Sequence, residues 1–327
     1  MGPRITRYLL SLLAAACFVS TGQATNSKTE DYPSKPITFY VGYATGGSAD
    51  TIGRLILPQL ADRIKQPIVI DNRAGAAGVI GLDTVARSTP DGYVMGFGTA
   101  GALASNVTLH PNLPYDPLRS FSPVGTVVRI PIVLVTDSNG PFKTVDDVLK
   151  AAKTTPVSYG SAGTGSSTHL AGELLSQMTG AQLTHVPYKG TGPAAVDVLG
   201  GHLDTAFIDL PTAVPHIRSG RMRILGVTNS ERSQLIPDVP TISESGIPGY
   251  AFTTWFGIVM PAGTSEAITT YLNRELVTLL QADSVREQLK IAGAEPFIST
   301  PKEMQEIIAN EIELTRRVIQ SAGIKLQ

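Results

Sequence analysis

The hydrophobic pattern alternates between short strand-like runs and helical periodicity along most of the chain. Residues 157–161 form a β-type run, and behind them Leu170, Leu174 and Met178 recur at four-residue spacing, which indicates a helix. Between the two lies Ala162-Gly-Thr-Gly165, so a strand delivers small residues to a helix N-terminus. Because the first amides of a helix lack an intrahelical acceptor and its dipole makes that end partly positive, this loop suits an anion. A tight turn that simply requires glycine is the alternative.

A second copy of this unit lies near the N-terminus. Residues 37–43 have the pattern of a strand, Ala44-Thr-Gly-Gly-Ser48 forms the loop, and the following helix places Ile52 and Leu60 on one face. Asp50 falls in the first turn of that helix, where we expect it to accept hydrogen bonds from loop amides rather than to touch an anion. Two such units in separate halves of the chain predict two loops that face each other across a cleft.

The first half of the chain completes a doubly wound α/β unit. Apolar runs at 68–71 and 93–98 are separated by a helix that starts in the glycine-rich residues 72–78. Ligands of such sheets bind at the carboxyl ends of the strands, where all three glycine-bearing segments fall. Arg54 and Arg73 either screen this site or form ion pairs with neighbouring acids.

The second half repeats the alternation and suggests a second lobe. Strands are predicted at 183–187, 202–208 and 222–227. Long β runs at 124–135 and 253–260 are predicted to cross between the lobes as a double hinge. Two amphipathic C-terminal helices are expected to return to the first lobe. The predicted domains are a discontinuous first lobe, residues 33–131 and 253–327, and a second lobe, residues 132–252.

Composition narrows the class of protein. The 327 residues are 42% hydrophobic and 16% charged with a formal net charge of −1, which is ample for a core but gives no basic field for nucleic acid. Arg4 and Arg7 precede an apolar run at 8–19, the pattern of a secretory signal peptide. We therefore predict a signal peptide of residues 1–24 and export from the cytoplasm, with an uncleaved anchor as the alternative. This segment takes with it the only cysteine, Cys17, whose lipidation stays open.

The sequence lacks the motifs of the common catalytic and cofactor sites. There is no Gly-x-Ser-x-Gly elbow and no Walker lysine, and no two histidines lie three or four residues apart. The loop at 163–168 has a threonine where a Gly-x-Gly-x-x-Gly fingerprint ends in glycine. We therefore predict no cofactor, no metal and no enzymatic activity. What remains is a cleft rich in backbone donors, hydroxyls and glycines, which can hold a carboxylate without an arginine.

Six stretches together resemble one known family over essentially the whole mature chain. They are Gly42-Tyr-Ala-Thr-Gly-Gly-Ser-Ala-Asp50, Asp71-Asn-Arg-Ala-Gly-Ala-Ala-Gly78, Gly163-Thr-Gly-Ser-Ser-Thr-His-Leu170, Val186-Pro-Tyr-Lys-Gly190, Asp238-Val-Pro-Thr-Ile-Ser-Glu-Ser-Gly246 and Trp255-Phe-Gly-Ile-Val-Met-Pro-Ala-Gly263. The family is the Bug receptors, the extracytoplasmic solute-binding proteins of tripartite tricarboxylate transporters. The chain departs from it at Ala44-Thr45, where members often have a proline before the paired glycines.

The resemblance implies a type II periplasmic-binding-protein fold, in which two α/β lobes close on a ligand. It further implies a monomer in the periplasm. This monomer binds a small carboxylate (an amino acid or a di-, tri- or aromatic carboxylate) and delivers it to membrane permease subunits. The ligand-binding residues carried over from the family are Tyr43, Ala44, Gly46, Gly47, Ser48, Thr99, Ala100, Ser161, Gly163, Thr164, Gly165, Ser166, His169 and Asp209. Asp209 matches a position that faces the distal end of the ligand; a plain helix cap is its alternative.

Three other functions stay open at this point. A ligand-sensing receptor for a signalling partner would use the same cleft, an exported hydrolase would use Ser166 with His169, and a scaffold protein would bind no ligand. Tyr43, Tyr188 and Trp255 either stack on a ligand ring or pack in the core. The identity of the carboxylate is not determined by the sequence.

Overall fold

The computed structural model describes residues 32–321, which fold around two β-sheets. The predicted signal peptide, residues 1–24, lies outside the described residues. The strands are β1 Ile37–Val41, β2 Ile68–Asn72, β3 Val94–Thr99, β4 Phe121–Ile130, β5 Ile132–Asp137, β6 Val157–Ser161, β7 Leu183–Pro187, β8 Thr205–Asp209, β9 Met222–Val227, β10 Thr254–Pro261 and β11 Glu295–Pro296.

Helices cover both sheets and connect most of the strands. A π-helical turn at Gly101–Ser105 follows β3, and a 3-10 turn at Ala76–Gly78 precedes the second helix. The α-helices are α1 Ser48–Ile64, α2 Val79–Ala86, α3 Asn106–Leu109, α4 Val145–Ala151, α5 Ser167–Thr179, α6 Thr191–Leu199, α7 Leu210–Arg218, α8 Glu266–Gln281, α9 Asp283–Ile291 and α10 Pro301–Ser321. No helix within residues 32–321 is long and apolar enough to cross a membrane.

Each sheet has a parallel half and an antiparallel half. The first sheet has the order β11-β4-β10-β3-β1-β2, with β1 parallel to β2 and β3, and β10 antiparallel to β3 and β4. The second has the order β7-β6-β8-β5-β9, with β6 parallel to β7 and β8, and β5 antiparallel to β8 and β9. The predicted α/β class with two sheets is confirmed. The carboxyl ends of β1, β2 and β3 meet at one edge, as the glycine segments required.

The chain passes between the sheets twice, and the two crossings are joined by hydrogen bonds. One crossing is Pro131, between β4 and β5; the other is residues 228–253, between β9 and β10. The amide of Thr228 donates to the carbonyl of Ile132 at 3.0 Å, and the amide of Phe252 donates to the carbonyl of Thr228 at 2.7 Å. The chain therefore has the paired connections that a hinge needs, whereas the predicted lobe boundaries stay a prediction.

Apolar side chains orient the helices that border the cleft. Ile52 and Leu60 of α1 are buried against the first sheet, as predicted, and Ile56 is buried between them. In α5 the apolar face predicted from Leu170, Leu174 and Met178 is wrong in part. Met178 is 40% exposed, while Leu175 is fully buried. The helix is rotated toward Leu175 so that it also buries His169, whose ring packs against a histidine of β7.

Two further predictions needed correction. The C-terminal region holds three helices rather than two, because the extended residue Ala282 (φ −65°, ψ 130°) separates α8 from α9. The strand predicted at 202–208 begins only at Thr205, since the amides of His202 and Leu203 still bond to the carbonyl of Asp197 at the end of α6.

Candidate ligand-binding cleft

A small cavity of about 20 Å³, with room for about one water, lies between the two sheets, at the carboxyl ends of their parallel strands. The first sheet and its helix contribute Tyr43, Gly47, Ser48, Ala49, Thr99, Thr254 and Phe256. The second contributes Ala162, Ser166, Ser167, Thr168, Thr191 and Asp209. These residues include the N-terminal turns of α1 and α5, which come from separate sheets, as the two glycine loops predicted.

The first loop is held in place by the acid of the first helical turn. Gly47 is the extended N-cap residue of α1, and the amide of Gly46 donates to Asp50 Oδ2 at 3.1 Å. Arg54 pairs with the other carboxylate oxygen of Asp50 at 2.9 Å. Burial opposes ionisation of Asp50, but the hydrogen bonds from Arg54 and from the Gly46 amide hold its pKa below the usual value. Asp50 thus orders the loop, as expected, and Arg54 forms an ion pair.

The second loop differs from the bare-amide cradle that its glycines suggested. Three of its amides donate to side chains of the protein: Ala162 to Thr168 Oγ1 at 2.9 Å, Gly163 to Ser161 Oγ at 3.1 Å, and Gly165 to His169 Nδ1 at 3.1 Å. A buried amide requires a partner, and here side chains provide it. The donors beside the cavity are instead the first-turn amides and hydroxyls of Ser167 and Thr168, together with the hydroxyl of Ser166.

The structure brings together some of the predicted ligand-binding residues and places others behind them. Those that line the cavity are Tyr43, Gly47, Ser48, Thr99, Ser166 and Asp209. Those outside the cavity lining are Ala44, Gly46, Ala100, Ser161, Gly163, Thr164, Gly165 and His169. Lining residues outside the predicted ligand-binding set are Ala49, Ala162, Ser167, Thr168, Thr191, Thr254 and Phe256. Contact of any of them with a ligand stays a prediction.

Hydroxyl groups join the two sides of the cleft. Ser48 Oγ lies 3.0 Å from Thr212 Oγ1 and 3.4 Å from Thr191 Oγ1, and the two threonine oxygens lie 2.7 Å apart. All three side chains are buried. On another wall, Thr254 Oγ1 donates to Ser167 Oγ at 3.1 Å. The N-terminus of α1 is thereby bound to α6 and α7 of the other sheet, so the cleft is closed.

Tyr43 lines the cavity on the side of the first sheet. Its hydroxyl donates to the carbonyl of Ala77 at 2.8 Å and lies 2.9 Å from Thr99 Oγ1. Burial raises the pKa of Tyr43 well above its usual value, so it stays un-ionised. The other two aromatic candidates pack elsewhere: Tyr188 bonds to Asp197 Oδ2 at 2.5 Å, and Trp255 is buried in the core of the first sheet.

Asp209 is the charged group of the cavity. It stands at the end of β8 in the N-cap position of α7, yet its side chain makes no capping hydrogen bond, so capping does not explain it. Asp209 is only 7% exposed to solvent. Burial raises its pKa to about 6, against a lowering effect of the Ser48 hydroxyl. Among the described residues that line this cavity, no Lys, Arg or His side chain balances that charge.

The nucleophile and base of the hydrolase alternative are not paired. Ser166 Oγ accepts the backbone amide of His169, while the ring of His169 accepts the Gly165 amide. Ser161 Oγ lies 2.7 Å from His185 Nε2, but Ser161 is fully buried and does not line the cavity. Within residues 32–321 no group of three or more His, Cys, Asp or Glu side chains is placed to hold a metal ion.

Comparison with known proteins places the chain in a family of transport receptors. The model of the tripartite tricarboxylate transporter family receptors matches residues 52–324. BugT of Bordetella pertussis is 38% identical over 320 residues, which cover 97% of this chain and 98% of BugT. A further relative, encoded in the tcbD-tcbE intergenic region of Pseudomonas sp. strain P51, is 35% identical over 312 residues, 94% of this chain and 93% of that protein.

Solved structures of similar proteins have the same fold. Rpa4515 of R. palustris, solved with adipate, is 36% identical with a TM-score of 0.87 and covers 90% of this chain and 99% of its own. MatC of Rhodopseudomonas palustris, solved with bound malate, is 32% identical with a TM-score of 0.84, and the match covers 88% of this chain and 100% of MatC. The periplasmic binding protein BugD is 31% identical with a TM-score of 0.86, and the match covers 90% of this chain and 100% of BugD. The chain belongs to the tripartite tricarboxylate transporter receptor family, the periplasmic solute-binding proteins that include the Bug proteins.

Proposed function

We propose that this protein captures a small carboxylate in the periplasm by closure of two lobes and delivers it to the permease of a tripartite tricarboxylate transporter. The observation that carries the proposal is the cavity walled by the N-termini of α1 and α5, which belong to separate sheets. Export depends on the signal peptide proposed for residues 1–24.

The chemistry of the cavity favours a carboxylate. Two helix N-termini direct partly positive ends and unpartnered first-turn amides toward one space. Ser48, Ser166, Ser167, Thr168 and Thr191 add hydroxyl donors. Hydrogen bonds from neutral donors to an ionised oxygen are about twice as strong as those between neutral groups. The relatives solved with adipate and malate support this class of ligand.

Asp209 restricts the other end of the ligand. A buried carboxylate with no cation beside it repels a second carboxylate but accepts a hydrogen bond from a donor. We therefore favour ligands whose distal group is an ammonium, a hydroxyl or an un-ionised carboxyl. A dicarboxylate binds only if Asp209 or the ligand takes up a proton.

Closure follows from contacts that exist only when the two lobes meet. We assign residues 33–131 and 253–327 to one lobe and 132–252 to the other. The Ser48 hydroxyl then bonds across the cleft to Thr212, and the amide of Ala44 bonds across it to the carbonyl of Lys189 at 2.8 Å. A ligand that touches both lobes shifts the population toward this closed state.

A thermal-shift screen over amino acids, hydroxy acids, dicarboxylates, citrate-like acids and aromatic acids tests the proposal. A ligand at 100 times its Kd stabilises the native state by about 2.7 kcal/mol, which gives a clear rise in Tm. The scattering radius should fall with the same acid, and the acid should be recovered unchanged. The proposal fails if no carboxylate raises the Tm, and its closure step fails if tight binding leaves the radius unchanged.

A matched pair of variants locates the site. Thr191→Val removes a hydroxyl of the cavity wall, whereas Thr184→Val makes the same change on the exposed face of β7. We expect Thr191→Val to weaken binding about tenfold, the effect of one hydrogen bond to a charged group, and Thr184→Val to leave it unchanged. Equal affinity in both variants would remove the α6 wall from the site.

A further inference from the structure

Two histidines are stacked behind the second loop, outside the cavity. His169 comes from the first turn of α5 and His185 from the middle of β7; their ring centroids lie 4.1 Å apart at an interplanar angle of 32°. Only 4% of His169 is exposed. Neither ring lines the cavity, so neither is placed to hold a ligand directly.

Each ring is a hydrogen-bond partner of the loop. His169 Nδ1 accepts the amide hydrogen of Gly165 at 3.1 Å, which requires an unprotonated Nδ1 and places the ring hydrogen on Nε2. Ser161 Oγ accepts the amide of Gly163 at 3.1 Å and lies 2.7 Å from His185 Nε2. The Ser161 hydroxyl is then free to donate to Nε2, and we assign that direction, which places the His185 hydrogen on Nδ1. Both rings are neutral in this arrangement.

The surroundings oppose a positive charge on the pair. Glu173, whose carboxylate lies 3.8 Å from His169 Nε2, is the nearby acid and favours a positive ring, but it already accepts the Tyr159 hydroxyl at 2.6 Å, and burial of the ring outweighs it. Tyr159 also covers His185, with ring centroids 5.1 Å apart. Across Gly165 lies His110, whose Nε2 is 3.5 Å from the position that a Cβ atom on the glycine would take. Burial lowers the pKa of His169 to about 3, with help from His185, and that of His185 to about 4.

We propose that the stacked pair of His169 and His185 is a positioning device that fixes the second loop in its binding geometry through neutral ring acceptors. A proton on His169 Nδ1 would face the Gly165 amide, donor against donor, and the loop would have to move. Because Ser166, Ser167 and Thr168 follow directly, that movement displaces the cavity wall. Acid therefore releases the ligand by disordering the loop. The ligand part of this inference rests on the proposed function; the tautomer part does not.

Nitrogen-15 NMR of the histidine side chains tests the pair without any ligand. Long-range spectra at pH 7 should show His169 as the neutral Nε2–H tautomer and His185 as the neutral Nδ1–H tautomer. The exposed His202 provides a reference signal in the same spectra. A protonated or Nδ1–H ring at His169 would overturn the proposal even if a carboxylate binds.

Two substitutions of His169 separate hydrogen bonding from packing. His169→Asn puts Oδ1 where Nδ1 stood and keeps an acceptor for the Gly165 amide, whereas His169→Leu fills the space without one. With the tightest acid from the screen, we expect about a tenfold loss of affinity for His169→Leu, and for His169→Asn less than about threefold. The loss on acidification from pH 5 to pH 3, the range in which folded His169 takes up its proton, should also be smaller in His169→Asn, and unchanged in the control His202→Asn.

Equal affinities and equal pH profiles for His169→Asn and His169→Leu would refute the positioning role. If His169→Leu does not fold, Ser161→Ala replaces it, since it removes the hydroxyl between Gly163 and His185. Retained wild-type affinity in a folded Ser161→Ala protein would equally refute it. If no acid binds at all, the proposed function fails while the NMR result still decides the tautomers.

Discussion

Mild acid should destabilise the ligand-free protein, and the magnitude can be worked from three buried groups. A histidine whose pKa is depressed in the native state stabilises the fold above its unfolded value of about 6.5, and loses that contribution as pH falls. His169 and His185, with pKa values of about 3 and about 4, both stay neutral at pH 5 while the unfolded chain protonates them. The native state therefore loses stability between pH 7 and pH 5.

The expected sizes follow from about 1.4 kcal/mol per unit of pKa. From pH 7 to pH 5, His169 should contribute a loss of about 2 kcal/mol, and the less buried His185 about 1 kcal/mol after solvent screening. Asp209 has the opposite sign, because its raised native pKa of about 6 lets the folded state bind a proton that the unfolded state does not. Protonation of Asp209 should raise the free energy of unfolding by about 1 kcal/mol over the same range. The net loss of stability is then about 2 kcal/mol.

Other residues with shifted pKa values also affect the stability between pH 7 and pH 5, each in a direction that follows from its shift. Burial lowers the pKa of His110 and of His216, so both add to the loss, while burial raises the pKa of Glu311, which opposes it. The carboxylates with lowered pKa values, such as Asp50 and Glu244, lose their contribution only below this range. The sign of the net effect is thus set by the two stacked histidines.

Urea unfolding at pH 7, 6 and 5, followed by circular dichroism, measures the effect. The protein should first be unfolded and refolded by dialysis, so that any retained ligand is removed. Asp209→Asn removes the opposing contribution and should deepen the loss to about 3 kcal/mol at an unchanged m-value. Equal stability at pH 7 and pH 5 in both the wild type and Asp209→Asn would refute the assignment of neutral, buried histidines.

Three further predictions follow from single contacts. Gly165→Ala places a Cβ atom 2.0 Å from Asn106 Oδ1. The control Gly246→Ala, also at positive φ, places its Cβ atom more than 4 Å from any neighbouring atom. Chemical denaturation should show Gly165→Ala to be less stable than Gly246→Ala by about 1–3 kcal/mol. Ser166→Ala removes the N-cap of α5 and should cost about 1 kcal/mol in the same assay. Calorimetry of a dicarboxylate should show affinity falling about tenfold per pH unit above about 6, and Asp209→Asn should abolish that slope.

Much of the fold could be predicted because its signals are local. Glycine loops, apolar periodicity and the first-turn acid Asp50 act within a few residues, and each has its expected place in the structure. The capping box of Thr144 and Asp147 at the start of α4 is a local signal of the same kind. The cavity walls at Thr191 and Thr254 were missed for the opposite reason, because they reach the site only through the pairing of distant elements. Thr191 at least stands in the first turn of a helix; Thr254 gives no signal at all.

The glycines of the second loop show how a correct motif can have a different physical cause. A Cβ atom on Gly163 would lie 2.9 Å from the Tyr188 carbonyl, and one on Gly165 would strike Asn106. Both glycines thus allow neighbouring backbone and side chains to approach, while their amides bond to Ser161 and His169 rather than to open space. Since the loop is fixed from behind, discrimination among carboxylates falls to the groups that do face the cavity. Substitutions at the hydroxyl wall or at Asp209 should therefore change which acid binds, whereas substitutions at the glycines should change whether the lobes close at all.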